Sequence, residues 1–196
     1  MYKVFFNQKP LILTSEIKKS TDSNPLIYIK FSSKNQILKA IKSKKTKSVY
    51  IYHKNMKKLW KIFTKKFPIK DAAGGLVQRN DDKFLFIYRK KKWDLPKGGI
   101  EKNELIIEAA QREVKEETGV ADLIVIDKIG ETYHIFNNGK TYRLKRTYWF
   151  RMRSDYKGEL MPQEEEGLSL IHISEPTRPE RIADGVGGVK KKEGGG

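Results

Sequence analysis

The sequence predicts an α+β protein in two parts: a small mixed α/β unit over residues 1–70, and a larger domain over residues 71–167 in which antiparallel strands accompany one central helix. Three observations carry this. Residues 1–70 hold 18 lysines, no arginine and two acids (Glu16 and Asp22), whereas residues 71–167 balance 18 basic against 18 acidic residues, so nearly all of the net charge of +17 sits in the first part. Short β-branched and aromatic runs alternate with turn signals along most of the chain. In the second part a strongly periodic helical stretch follows one pair of strand-like runs and precedes another, which is not the regular strand–helix alternation of a parallel sheet.

In chain order, Tyr2–Phe6 and Leu11–Thr14 flank Asn7-Gln8-Lys9-Pro10 and predict a β-hairpin turning at Asn7–Pro10. Leu26–Phe31, after Pro25, reads as a strand. Ser33 followed by Gln36 is a capping-box signal for a helix through Ile37, Leu38 and Ile41. Ser48–Tyr52 is a strand, and Asn55 caps a helix carrying Leu59, Trp60 and Phe63 that ends at Phe67-Pro68. The boundary between the parts falls near Pro68–Asp71. Ala72–Gln78 and Phe84–Tyr88 are strands about a turn at Asn80-Asp81-Asp82. A loop over Arg89–Asn103 leads to a helix over Glu104–Thr118, which Gly119 ends by supplying a left-handed turn. Ile106, Ala110 and Val114, with Ile107 alongside, form its expected core stripe, and Ala109 and Ala110 allow close approach to a sheet. Leu123–Tyr133 and Thr141–Met152 are strands joined at Asn137-Asn138-Gly139.

The chain has 196 residues, 38% of them apolar, which suffices for a core, and no cysteine, which excludes disulfides and thiolate metal sites. The first ten residues offer only Val4-Phe5-Phe6 as an apolar run, unlike a secretory signal, and no segment approaches the roughly 18 apolar residues of a membrane span. A soluble, cytoplasmic protein without membrane partners is the expectation. The lysine surplus admits a nucleic-acid partner. The reading preferred for it is compositional drift, because phosphate sites favour the bidentate fork of arginine, which residues 1–70 lack.

Leu168–Arg178 reads Leu-Ser-Leu-Ile-His-Ile-Ser-Glu-Pro-Thr-Arg, which resembles the translation of a transposon-based sequencing adapter, and the lysine and glycine runs after it resemble homopolymer read-through. Residues 168–196 are therefore expected to be a non-native tail, with the natural chain continuing past Gly167. Resequencing the locus from genomic DNA tests this; reappearance of the tail would refute it.

The chemistry resides in one motif. From Gly98, five residues lead to Glu104 and seven more to Arg112-Glu113-Val114-Lys115-Glu116-Glu117-Thr118-Gly119-Val120. Glu113, Glu116 and Glu117 stand at i, i+3 and i+4, so three carboxylates share one helix face, where their mutual repulsion is offset by a hard divalent cation. Such a cation neutralises a pyrophosphate and activates water. A glutamate-rich helix is usually only a solvated face. The joint pattern argues otherwise, since its seven fixed letters arise by chance about once in a billion start positions.

The motif matches every fixed position of the Nudix box, and the chain over about residues 71–167 resembles the Nudix hydrolase family. The resemblance implies an α/β/α sandwich with a mixed sheet, and metal-dependent cleavage of a pyrophosphate bond in a nucleoside diphosphate linked to another group: a nucleotide sugar, ADP-ribose, a dinucleoside polyphosphate or a nucleoside triphosphate. It implies Glu116 and Glu117 as chief ligands of Mg²⁺ (or Mn²⁺), and Glu113 as a further ligand or the group that orients or deprotonates the water. Arg112 would hold Glu113, Gly98 would offer a backbone carbonyl to the metal, and Glu104 and Gly119 would support the loop–helix geometry. Trp93-Asp94-Leu95-Pro96-Lys97 also looks like the family's approach to the box, with Lys97 as a phosphate contact. The general base varies within the family, and Glu165, within Glu164-Glu165-Glu166, is a candidate on a later loop. Members are often homodimers, although nothing in this sequence is diagnostic.

The box fixes a reaction class and not a substrate. Trp93, Tyr133, His134, Phe136, Tyr142 and Tyr148 are candidate stacking residues, and Lys140, Arg143, Lys145 and Arg146 are a basic stretch able to grip further phosphates, Arg143 foremost; an ordinary charged hairpin is the competing reading. Two other functions remain open: a nucleotide sensor, against which the intact box argues, and removal of pyrophosphate from RNA 5′ ends.

Overall fold

The computed structural model describes residues 1–89, 92–158, 160 and 168–174, the last stretch as backbone. Met1–Asp71 together with Glu131–Thr147 form one compact unit; Ala72–Gly130 and the described residues from Tyr148 onward form another.

In the first unit, β1 (Tyr2–Phe6) and β2 (Lys9–Thr14) are antiparallel, with Phe6 opposite Lys9. The turn is tighter than the sequence suggests. Asn7 adopts φ 52°, which a two-residue hairpin connection requires, so Pro10 joins the strand opposite Phe5. The predicted strand over Leu26–Phe31 is only half realised: β3 covers Leu26–Tyr28, and Ile29–Phe31 wind into a 3₁₀ turn closed by Ser32 Oγ donating to the Tyr28 carbonyl at 3.0 Å. That turn buries Ile29 and leaves Phe31 exposed, which strict alternation could not reveal. α1 (Lys34–Lys42) starts with the expected reciprocal cap: the Ser33 N–H donates to Gln36 Oε1 at 2.7 Å and the Gln36 N–H to Ser33 Oγ at 3.2 Å. β4 (Val49–Tyr52) runs parallel to both β2 and β3. α2 (Met56–Lys66) is capped by Asn55 Oδ1, which accepts from the Lys58 N–H. Ile37, Leu38 and Ile41 from α1 meet Leu59 and Phe63 from α2 over Leu11, Leu13 and Ile51 of the strands.

Two later strands, β9 (Ile124–Asn137) and β10 (Tyr142–Ser154), lend the outer half of their hairpin to this unit. Val4, Phe5 and Phe6 pair in parallel with Tyr133, His134 and Ile135, and the Leu144 N–H donates to the Pro68 carbonyl. Ile135 and Leu144 are accordingly buried in this core.

The second unit takes most of β5 (Ile69–Arg79) and all of β6 (Phe84–Arg89), joined by a turn in which Asp82 has φ 61°. The stretch expected to be one long loop contains two short strands: β7 (Lys92–Asp94) pairs with β6, and β8 (Lys97–Gly99) pairs with β5 through Ala72–Gly99, Ala73–Gly98 and Gly74–Lys97. α3 (Ile106–Thr118) ends at Gly119, φ 73°, as predicted, but begins two residues later than expected. Its core stripe is Ala109, Ala110 and Val114, packed with Ala73, Val77, Phe150 and Met152. Ile106 and Ile107 are 38% and 40% exposed and belong to no core: they occupy the first turn, and burial begins only at Ala109. β11 (Leu168–Ser174) lies antiparallel to β6, so the first seven residues of the segment read as a non-native tail form a strand; their alternation of Leu and Ile with Ser and His has β character whatever its origin. Parallel and antiparallel pairings both occur, as a mixed sheet requires. No helix among the described residues is long and apolar enough to cross a membrane.

Candidate functional site

The site is built in the second unit by two short-range events. β8 pairs with β5, which brings Lys97, Gly98 and Gly99 alongside Gly74, Ala73 and Ala72. α3 packs by its small residues and so brings the face carrying Glu113, Glu116 and Glu117 to β8.

Arg112 is the hub. Its Nε and Nη2 form a fork on Glu104, at 2.7 and 3.0 Å; Nη1 donates to both Glu113 Oε1 and Glu116 Oε2 at 2.9 Å; Nη2 also reaches the Gly99 carbonyl at 2.9 Å. Hydrogen bonding to Glu104 first, then to Glu113 and Glu116, raises the guanidinium pKa far above its ordinary value. The reverse holds at Glu104. The Arg112 fork, and after it the Glu101 N–H at 2.8 Å, draw its carboxyl down to about 2. One arginine thus ties the loop before α3 to two of the three helix-face carboxylates.

The three carboxylates differ in environment. Glu117 is essentially buried, its side chain 1% exposed; Oε2 accepts the Lys97 N–H at 2.8 Å, and Arg89 Nη1 lies 4.0 Å from Oε1. Glu113 is largely buried and lies directly over Gly98: a Cβ there would meet its carboxylate Oε2, Cδ and Oε1, the last at 2.5 Å. Glu116 is half exposed. Lys97 bonds Asp94 through Nζ, donates to the Leu95 carbonyl at 3.2 Å, and stands 5.7 Å from the ring centroid of Trp149. Trp93 leans on Tyr88 with ring centroids 5.0 Å apart.

Sequence reasoning overlooked Asp94, Trp149 and Arg89. A Lys97-to-Asp94 pairing at i, i+3 could have been suspected, but Trp149 reads as one strand aromatic among several, and Arg89 needs the strand pairing to reach Glu117. Other candidates fall elsewhere. Arg143 belongs to the first unit, where Nη2 donates to the Ile69 carbonyl at 3.4 Å. Arg146, also there, forks onto Asp71 at 2.6 and 3.0 Å. Lys145 lies over Phe136, Tyr133 packs with Tyr2 and Trp60, and His134 stacks on Phe5. Tyr148 is buried in the second core. Glu165 lies outside the described residues.

A metal fits the donor set chemically: three carboxylates and a backbone carbonyl are hard oxygen ligands of the kind Mg²⁺ takes. The missing Cβ at Gly98 leaves the room in which Glu113 lies against the strand. In the arrangement described, Glu113 and Glu116 are engaged by Arg112 and Glu117 by a backbone N–H, and among the described residues no three acids or histidines converge as a ready-made chelate.

A family model described as NUDIX domain matches residues 68–184, more than half of the chain. An RNA pyrophosphohydrolase of Sphingopyxis alaskensis is 32% identical over 102 residues, which cover 45% of this chain and 65% of that protein. One of Pelagibacter ubique is 31% identical over 99 residues, 44% of this chain and 62% of that protein. The chain therefore spans a little under two thirds of the length of these relatives. Among solved structures, a C. elegans Ap4A hydrolase binary complex matches over 54% of this chain and 80% of its own, at 18% identity and a TM-score of 0.44.

Proposed function

This chain belongs to the NUDIX domain family, and on that premise we propose that it hydrolyses a pyrophosphate bond in a nucleoside diphosphate linked to another group, with a divalent cation, Mg²⁺ or Mn²⁺. The single observation that carries the reading is the Arg112 hub, which gathers Glu104, Glu113, Glu116 and the Gly99 carbonyl around one guanidinium beside buried Glu117.

Glu116 and Glu117, with Glu113 and the Gly98 carbonyl, would hold the cation. When bound it supplies charge neutralisation at the pyrophosphate and Lewis acidity for attack by water. The protein's own part is positioning. Arg112 fixes the rotamer of Glu113, so its carboxylate would accept a proton from water or hold that water in line. The Lys97 N–H orients Glu117, and a bound cation would add to Arg89, 4.0 Å away, in offsetting a charge on this buried carboxylate. The Lys97 ammonium, held by Asp94, would contact a substrate phosphate.

RNA carrying a 5′ pyrophosphate is a second reading. What favours it is that the relatives named above are RNA pyrophosphohydrolases. Phosphate and nucleotide release would be followed on a panel of nucleoside diphosphate derivatives and a 5′-triphosphorylated oligoribonucleotide, with Mg²⁺ and with chelator, for the parent and Glu117→Gln. Turnover that needs the cation and collapses in the variant supports the proposal. Turnover undiminished by chelator or by Glu117→Gln would sink it.

A further inference from the structure

The first unit carries an open groove of about 510 Å³ between α1 and the tip of the β9–β10 hairpin. Lys34, Lys39, Lys42 and Lys140 line it, with Asn35 and Asn137 among the remainder, and among the described residues no acid does. The groove follows from the packing of α1. Ile37, Leu38 and Ile41 face the core, so the opposite face presents its lysines to solvent. Lys34 Nζ then donates to Thr141 Oγ1 at 2.7 Å and to the Tyr142 carbonyl at 2.6 Å, which ties the hairpin tip to the start of the helix. Lys42 lies 4.5 Å from the ring centroid of Tyr142, and its hydrogen bond lowers the pKa of that phenol.

Four ammonium groups therefore surround one concavity, and the partners shown for Lys34 and Lys42 are neutral oxygens, a phenol and rings. Acids are scarce nearby in sequence: residues 1–70 contain only Glu16, which Lys18 pairs, and Asp22. Like charges held this way repel, and a polyanion relieves the repulsion. The groove is open and not enclosed, which suits an extended strand better than a mononucleotide. Its cations are lysines, which act as point charges without the bidentate geometry that reads a base edge or a single phosphate. Lys42 lies over the Tyr142 ring and so competes with base stacking there.

We infer that this groove of the lysine-rich unit binds the phosphate backbone of a single-stranded polynucleotide, without reading its sequence. The inference is independent of the hydrolase reading, because it concerns a different unit and no pyrophosphate.

The test uses the full chain and fluorescence anisotropy with labelled RNA and DNA oligonucleotides of roughly twelve nucleotides, a length typical of single-strand grooves. Both carry 5′-hydroxyl ends, so the proposed hydrolytic site has nothing to act on. Lys39→Gln with Lys140→Gln is compared with Lys57→Gln plus Lys61→Gln on α2, an equal loss of charge away from the groove; all four lysines are exposed. The groove pair is expected to weaken binding about tenfold and to make the salt dependence shallower by about 1.4, at about 0.7 per phosphate contact. The control pair should stay within about twofold of the parent, as rim charges that touch nothing do. Should the groove pair fail to fold by circular dichroism, Lys140→Gln alone, at the hairpin tip, carries the same comparison. Groove-dependent binding of either oligonucleotide supports the proposal, and a difference between RNA and DNA names the preferred sugar. Equal losses in groove and control pairs, no salt-dependent binding by the parent, or capture by phosphatidylserine vesicles with none by oligonucleotide would each overturn it.

Discussion

Replacing Gly98 by alanine would separate the geometry of the site from the stability of the fold. The added Cβ would collide with the Glu113 carboxylate, whose Oε2, Cδ and Oε1 are its three nearest neighbours. All three atoms are the far end of a flexible side chain, so the collision is relieved by swinging Glu113 away and not by moving β8. The cost is the 2.9 Å bond between Arg112 Nη1 and Glu113 Oε1. A hydrogen bond to a charged group contributes about 1.5–3 kcal/mol when buried, and less here, because the Arg112 side chain is 25% exposed and keeps Glu104 and Glu116. Gly98 has no left-handed φ, so alanine also returns about 0.4–1 kcal/mol by restricting the unfolded chain. The net loss is about 1 kcal/mol, or a fall in Tm of about 2–4 °C for a chain of this size. If Glu113 orients or deprotonates the water, its displacement removes a contribution of about 10²–10⁴ in rate. The assay is kcat on whichever panel substrate is turned over, beside a thermal melt and a Glu113→Gln control. A folded Gly98→Ala protein with kcat within threefold of the parent would refute the claim that the position of Glu113 over Gly98 matters.

Arg112→Lys removes the fork on Glu104 while keeping the charge, and is expected to cost about 1–3 kcal/mol by urea denaturation; a change below about 0.3 kcal/mol would show that the hub is decorative. Glu104 is held at about 2 against an ordinary 4.5, a depressed folded-state pKa. Its stabilising contribution is therefore complete above pH 4.5 and is lost as pH falls from there toward 2. Glu104→Gln should flatten the Tm–pH curve in that window, and superimposable parent and variant curves would contradict the assignment. Phe63, fully buried between α2 and the strands of the first unit, is expected to cost about 3–5 kcal/mol as alanine. Guanidinium titration followed by circular dichroism reads this, and a loss under 1 kcal/mol would mean that the core described for that unit is wrong.

What the sequence made legible was what depends on near neighbours. The cap of α1 by Ser33 and Gln36, the cap of α2 by Asn55 and the stop of α3 at Gly119 are each set within a few residues and appear where expected. The bond between Arg112 and Glu113 is one that the family resemblance implies. What failed needed long-range information. Ile106 and Ile107 continue the apolar period of α3 but lie before its first buried residue, and periodicity cannot say where along a helix the core starts. β7 and β8 are three-residue strands whose only evidence is their partner, and nothing in Lys97-Gly98-Gly99 favours extended structure by propensity.

The glycines show most clearly how the site is divided between legible chemistry and illegible placement. Gly74 and Gly75 stand inside a strand, where glycine costs stability, and the sequence marks them only as an irregularity. At Gly74 a Cβ would run into the Pro96 carbonyl and the Lys97 Cβ, the latter at 2.5 Å, so only glycine lets β8 lie against β5. At Gly75 it would meet Met152 Sδ at 2.8 Å and Val114 Cγ2 at 3.1 Å, so glycine also lets α3 settle on the strand. Gly98 then admits the carboxylate that this packing delivers. The acids of α3 define what the site can hold; three absent side chains on two strands define where it is held. The second set can be destroyed without touching a single charge, which is why Gly98→Ala is a sharper test of the site than the removal of any of its glutamates.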